Sequence, residues 1–520
     1  MSELIESGIN NLGDFIENTL KKYADNPAFS CLGQTHSFSE IDSKSRALAC
    51  WLQQVSGLQA GDRIVIQLPN ITQYPIAAYA AARVGLVLVN TNPLYTPKEM
   101  RHQFKDSGAK AIITLQDLLP KLEEIKADTD IETVIFCNPA DQISNDKPLV
   151  EGCISLNQAM DEGSNLSLHK RTNINLDDTC VLQYTGGTTG VSKGAELTHR
   201  NILSNAAQNV ERLGDKCSQG QEIFICPLPL YHIYAFCINM MMFFSRGNLN
   251  VLIPNPRDMD AFIGAIKPFK FTGFSGINTL FVGLCSTENF KQLDFSALKL
   301  TISGGSALTS DAVRVWDETT GCSISEGYGL SETAPVLCLN EPGNEQVGTV
   351  GEALVGTDIQ IWDAKDQPVA QGEEGQIVAK GPQVMKGYWN MPQETQKAIV
   401  NGYFKTGDIG KILNTGAIKI VDRLKDMIIV SGFNVYPNEV EEVLTRHENI
   451  MEAAVVGQPD DRSGESVCAY IAVNKALSTQ DIITHCRLEL TAYKVPKKVV
   501  IMDELPKSTV GKILRRELRK

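Results

Sequence analysis

No Cys-x-x-Cys pair occurs among the thirteen cysteines of this 520-residue chain, and no group of them has zinc-like spacing. That absence excludes the common zinc modules and the thioredoxin-type redox motif. An odd, dispersed set predicts reduced thiols in a cytosolic protein. Excess positive charge is missing as well. With 48 Lys+Arg against 61 Asp+Glu, the net charge is −13, which argues against a nucleic-acid partner. The longest apolar run, Ala235 to Phe244, is interrupted by Asn239 and is too short to span a bilayer. The opening Met-Ser-Glu-Leu-Ile-Glu is acidic and predicts no secretory signal. There is no repeat of solenoid length and no low-complexity segment.

What remains is the composition of a soluble globular enzyme, 43% hydrophobic and 21% charged. A chain of this length exceeds what one core usually supports, so two or more domains are expected. Short β-branched runs, such as 62–68, 111–114 and 134–137, alternate with helical patterns at 74–85 and 96–108. That alternation predicts an α/β sheet architecture. Residues 354–420 read as strand-rich with tight turns. Beyond Asp422 the pattern changes to a helix near 438–446, strands at 453–457 and 468–473, and a helix at 479–489. The expectation is a large α/β N-terminal domain with a β-rich subdomain, residues 1–422. A boundary at 423–426 and a small α+β domain at 427–520 would follow.

One stretch carries chemistry by composition alone. Tyr184-Thr-Gly-Gly-Thr-Thr-Gly-Val-Ser-Lys-Gly194 holds four glycines, four Ser or Thr and one lysine in eleven residues. Glycines let backbone N–H groups approach an anion closely, and hydroxyls and a lysine add donors and charge. The stretch is not a Walker loop, which needs Gly-Lys-Ser/Thr after four spacers. Here Val191 and Ser192 separate Gly190 from Lys193. A strand at 180–183 leads in, and Thr198 could cap a following helix, so the expected setting is strand, loop, helix.

Four further segments stand in order behind this loop: Ser325-Glu-Gly-Tyr-Gly-Leu-Ser-Glu-Thr333, Tyr403-Phe-Lys-Thr-Gly-Asp408, Asp422-Arg-Leu-Lys-Asp426 and Pro506-Lys-Ser-Thr-Val-Gly-Lys512. With them, almost the whole chain, from about Ile16 to Leu518, resembles the adenylate-forming superfamily. The likeness is nearest to bacterial long-chain fatty acid–CoA ligases. The finer likeness rests on Asn92-Pro-Leu-Tyr-Thr-Pro97, Pro227-Leu-Pro-Leu-Tyr-His-Ile-Tyr-Ala-Phe236 and residues 424–439.

The resemblance implies a two-step reaction. A fatty carboxylate and ATP give acyl-AMP and pyrophosphate, and CoA then takes the acyl group and releases AMP. By resemblance, Lys512 bridges carboxylate and α-phosphate as the catalytic lysine, and His232 sits between acyl and pantetheine pockets. Thr185, Gly186, Gly187, Thr188, Thr189, Gly190, Ser192 and Lys193 would hold phosphates, with Lys193 mattering less than Lys512. Gly304, Gly305, Ser306, Glu326, Gly327, Tyr328, Gly329 and Thr333 would surround the adenosine, with Tyr328 on the adenine. Asp408 would take the ribose hydroxyls, helped by Arg423. Glu332, with Thr185, would hold Mg2+.

Lys425 is the implied hinge, and Ser431, Gly432 and Phe433 the implied CoA contacts after a domain rotation. Phe236 stands where relatives carry an aromatic acyl-tunnel gate, often Trp; core packing fits it equally. The methionines of 239–242 read as core, with a tunnel wall as the alternative. Lys507, Lys512, Arg515, Arg516, Arg519 and Lys520 form a basic tail. The resemblance allows peripheral association with the inner face of the cell membrane and a homodimer. Two other functions stay open. One is an acyl- or aryl-acid ligase serving another acid or a carrier protein. The other is a catalytically silent binding protein of the same fold.

Overall fold

Twelve consecutive residues of the Ala-rich helix Gln73–Val84 are all buried, which a helix at a surface would not allow. Its small side chains let it pack against the helices Leu12–Lys22 and Phe38–Gln54. Arg83, fully buried at its end, is paired with Glu17 and Asp42 from those two helices. The structure is a computed structural model that describes residues 9–142, 150–169, 174–185, 192–460, 462–508 and 511–519.

The chain forms a mixed α/β N-terminal domain and a smaller C-terminal one. Two large sheets share the main core. The eight-stranded sheet runs Gly387–Tyr388, Lys193–Thr198, Thr179–Thr185, Val87–Asn90, Arg63–Gln67, Ala111–Leu115, Thr133–Cys137 and Ile154–Ser155. The last six of these are parallel. The nine-stranded sheet has a parallel centre from Leu249–Leu252 through Ile223–Cys226, Gly273–Gly276 and Leu300–Ser303 to Ile324–Gly329. Antiparallel Val336–Leu339 continues it. Burial on both faces is why these strands read as continuous apolar runs.

A third, antiparallel sheet contains Asp358–Trp362, Gly375–Lys380, Tyr403–Ile412 and Ile418–Arg423. Its register sets Asp408 opposite Arg423. The fourth sheet, built on the long hairpin Ile450–Asp460 and Gly464–Val473, has its own core with the helices Pro437–Thr445 and Thr479–Glu489.

Most predicted elements lie within a few residues of their expected places, and local chemistry shows why. Thr96 and Glu99 form a capping box at Pro97–Ser107, which Gly108 closes at φ 59°. Thr198 caps His199–Leu213 as expected. The setting of the glycine-rich loop differs from the expectation. Thr179–Thr185 returns as an antiparallel strand, Lys193–Thr198, and the helix begins only after it. The loop therefore joins a hairpin and has no helix N-terminus behind it.

Residues 236–243 form a π-helix rather than an α-helix, which changes which side chains share a face. Met240, Met241 and Met242 are buried core, and none lines the cavity described below.

Three cations of the basic tail are held in ion pairs. Lys507 pairs with Glu452 at 2.8 Å, Arg515 with Glu441 at 2.6 Å, and Arg519 with Asp426 at 2.7 Å. Twelve of the free cysteines are buried and Cys153 is half-buried. Burial pushes thiols such as Cys31 up, to about 12, so they are neutral apolar side chains. Among the described residues, no helix is long and apolar enough to cross a membrane.

Candidate functional site

A cavity of about 690 Å³ draws its walls from all three N-terminal sheets and from Lys512 near the chain's end. Its apolar lining includes Ile233, Tyr234, Ile238, Ile302, Val336 and Leu339. Its polar and charged lining includes Thr185, Lys193, Glu332, Asp408, Arg423, Lys425 and Lys512. A ligand suited to it is amphiphilic, with a greasy part and a polyanionic part.

Thr185 and Lys193 face each other across the hairpin. Strand pairing therefore fixes their spacing, while the segment between them, with Gly186, Gly187, Thr188, Thr189 and Gly190, lies outside the described residues. The Lys193 ammonium is bound to Glu394 at 2.5 Å and lies 5.0 Å from the centre of the Tyr388 ring. Tyr388 donates its hydroxyl to Glu332 at 2.9 Å. Burial pushes the Glu332 carboxyl above its usual range, and the Tyr388 hydrogen bond and Lys193 draw it back. It is a desolvated acid among the charged lining residues, one that gains from a nearby cation.

Asp408 sits in the middle of a long strand, where Tyr328 donates to it at 2.6 Å and Arg423 Nε lies at 3.6 Å. The adenine and ribose candidates are thus in direct contact. Gly304 and Gly305 line the wall beside them, as do Gly327 and Gly329. Gly305 has φ +85°, a left-handed conformation that suits glycine. A Cβ on Gly329 would lie 1.9 Å from the Pro335 carbonyl oxygen, so that position admits no side chain.

Lys512 enters from a turn in which Ser508 Oγ accepts its backbone N–H at 3.1 Å. Its backbone is partly exposed, but desolvation of the ammonium brings its pKa down to about 7, with Arg423 adding to the fall and Asp408 opposing it. His232 caps the short turn at Ile233–Ala235, its Nδ1 accepting from the Tyr234 N–H at 3.3 Å. Burial, then the Lys512 charge, lowers it to about 4. It is a neutral imidazole at pH 7 beside a lysine that is partly charged. Lys425 also reaches the cavity, lowered to about 8 by partial desolvation and Arg423.

Several predicted residues do not line the cavity: Ser192, Ser306, Glu326, Thr333 and Phe236. Thr333 spends its hydroxyl on the backbone of its own turn, at Leu330 and Pro335. Glu326 accepts from the Leu308 N–H at 3.3 Å and is raised to about 8 by burial. Phe236 is fully buried in the core, which is the packing alternative. Ser431 and Gly432 form a two-residue turn at φ 52° and 86°. Phe433 is 57% exposed and stacks on Tyr493 at 4.9 Å, so all three stand away from the cavity.

Tyr388, Met391, Glu394 and Tyr234 line the cavity without having been singled out from the sequence. Tyr388 arrives by a two-residue edge strand paired with Lys193–Thr198, a long-range pairing with no local signal. Thr406 lay inside a segment already noted. Its hydroxyl accepts the Asp408 N–H at 3.1 Å and donates to the Ile377 carbonyl at 2.8 Å, fixing the strand just before the carboxylate.

Comparison with known proteins gives the family of the chain. Residues 16–389 match the AMP-binding enzyme family, and residues 439–512 match the AMP-binding enzyme C-terminal domain. The chain is 42% identical to a long-chain-fatty-acid–CoA ligase of Salmonella typhimurium, over 98% of this chain and 94% of that one. It is 41% identical to a long-chain-fatty-acid–CoA ligase of Yersinia pestis, over 100% and 95%. Its structure is similar to that of an anthranilate CoA ligase in complex with anthranoyl-AMP. That match has a TM-score of 0.90 and 25% identity, covering 98% of this chain and 96% of the other.

Proposed function

Because this chain belongs to the AMP-binding enzyme family, we propose that the cavity is its adenylation site and read the residues in it accordingly. The chain is an AMP-forming ligase that activates a long-chain fatty acid with ATP and passes the acyl group to CoA. The observation that carries the site reading is the meeting of a desolvated Lys512, the Asp408–Tyr328 pair and Glu332 in the wall of one cavity that also has an apolar lining.

In the first half-reaction a carboxylate oxygen attacks the α-phosphorus, a P–O bond forms, and the bond to the bridging oxygen breaks as pyrophosphate leaves. An anion must approach a polyanion, so positioned cations are required. Lys512 supplies the charge between carboxylate and α-phosphate. Lys193 and Thr185 hold the outer phosphates. Asp408 accepts both ribose hydroxyls, steadied by Tyr328 and Arg423, while Gly304, Gly305 and Tyr328 enclose the base. In the second half the CoA sulfur attacks the acyl carbon and AMP departs.

Glu332 is the carboxylate that would hold Mg2+, with Thr185 beside it. Magnesium commonly takes only one or two protein carboxylates and completes its shell with phosphate and water. The buried, raised Glu332 fits that role. When bound, the ion supplies charge neutralisation at the phosphates.

We place the pivot of the small domain at 423–426, between units 1–422 and 427–520. Rotation about Lys425 would withdraw Lys512 and bring Ser431, Gly432 and Phe433 to the thiol. The acyl tail binds against the apolar lining, where each buried CH₂ contributes ~0.8 kcal/mol.

Lys512 yields a pH prediction. Its charge is complete below about 7 and is lost as pH rises through that value in the nucleotide-free enzyme. kcat/KM for ATP, which reports the free enzyme, therefore falls above about pH 7. Lys512→Arg, slower overall, keeps its charge and lacks that fall. A pH series of ATP–pyrophosphate exchange checks this, and an identical alkaline limb in the arginine variant would contradict it.

Exchange dependent on palmitate tests the activity itself; no exchange with any acid would refute it. A carrier-protein acceptor is the competing reading. Acyl-AMP accumulating equally with and without CoA would favour it.

A further inference from the structure

Glu394, on the short helix Pro392–Ala398, lies in the cavity wall and holds the Lys193 ammonium with one carboxylate oxygen and Lys397 with the other at 2.7 Å. The two lysines hold the carboxyl down, to about 2, so it is an anion throughout the physiological range. Lys193 also lies over the Tyr388 ring, whose hydroxyl binds Glu332. The cation is therefore already engaged on a fixed anion, at the end of the cavity where a triphosphate's outer groups would sit.

We propose that Glu394 is a displaceable counter-ion of Lys193, exchanged for the β- and γ-phosphates when ATP binds and re-formed when pyrophosphate leaves. The inference rests on the reading of Lys193 as a phosphate ligand. The ammonium cannot bind both partners at full strength. The pair is a good exchange partner because it is partly solvent-exposed, at 30% and 34% for the two side chains, and such pairs are weak. Glu394 thus lowers affinity for triphosphate and for pyrophosphate together. It acts through Lys193 as a positioning residue, and its benefit is faster release of the leaving group, a step that limits many enzymes.

The test is equilibrium binding of α,β-methylene-ATP and of AMP to the full chain, with pyrophosphate inhibition of acyl-CoA formation measured in parallel. Glu394→Gln is expected to bind the triphosphate about threefold tighter and to be inhibited by correspondingly less pyrophosphate. AMP affinity, which involves no outer phosphate, should be unchanged and also reports that the variant is folded. In a Lys193→Ala background the same substitution should change nothing, since a double-mutant cycle isolates the pair. No gain in Glu394→Gln, an equal gain for AMP, or a gain that persists without Lys193 would each overturn the proposal. If Lys193→Ala leaves triphosphate affinity intact, the reading of Lys193 itself fails. If it weakens triphosphate binding while Glu394→Gln has no effect, only the counter-ion proposal fails.

Discussion

Lys512→Ala is expected to lower acyl-adenylate formation by about 10²–10³-fold, the loss typical for a preorganised donor aimed at developing charge. Thioester formation from supplied acyl-AMP should stay near the parent rate. The asymmetry follows from what each step must overcome. In the first, an anion meets a triphosphate, and the Lys512 ammonium is desolvated in the cavity where they meet. In the second, the phosphate is already a leaving group on an activated acyl carbon. Lys512 then has no anionic attack to offset, and the proposed rotation removes it. ATP–pyrophosphate exchange and single-turnover thioester formation separate the two. Equal loss in both would contradict this division of labour.

Asp408→Asn is expected to damage both halves, by about 10²-fold or more in kcat/KM for ATP and in use of acyl-AMP. Hydrogen bonds to a charged acceptor contribute about 1.5–3 kcal/mol each, and the ribose is present in both substrates. A second effect adds to the first. Asp408 is the anion that opposes the fall in the Lys512 pKa, while burial and Arg423 drive it. Without that carboxylate the ammonium loses its proton at lower pH. The alkaline limb of adenylation should move to lower pH in Asp408→Asn, whereas thioester formation shows no such shift. Tyr328 keeps an acceptor in the amide oxygen, so folding should be preserved. An unshifted limb would show that the two residues do not interact.

Elements set by local chemistry were legible in the sequence. The Thr96–Gly108 helix carries its start and stop signals in its own residues. Helix Thr479–Glu489 has its Ser478 cap, and the turn-rich stretch before Asp422 is an antiparallel sheet. Elements set by partners distant in the chain were not. Lys193–Thr198 is a strand because Thr179–Thr185 and Gly387–Tyr388 flank it. Nothing in Lys-Gly-Ala-Glu-Leu-Thr announces that. The sequence of the basic tail does not reveal the partners of Arg515, because Asp422, Asp426 and Glu441, which hold it, lie far upstream.

The site was legible in the same uneven way. Lys512, Glu332, Asp408 and Tyr328 stood in ordered segments, and all four line one cavity. Tyr388 and Glu394 had no such context, because their positions depend on an edge strand and a short helix that pack against the hairpin.

The account's central claim is that this one cavity, lined by charged and by apolar side chains, takes both the nucleotide and a long acyl chain, and a chain-length series tests it most directly. Carboxylic acids from acetate upward, with benzoate alongside, would be assayed for CoA thioester with ATP, magnesium and CoA. At ~0.8 kcal/mol per buried CH₂, kcat/KM should climb with length and peak at about twelve carbons or more. A clear preference for acetate or benzoate would contradict it.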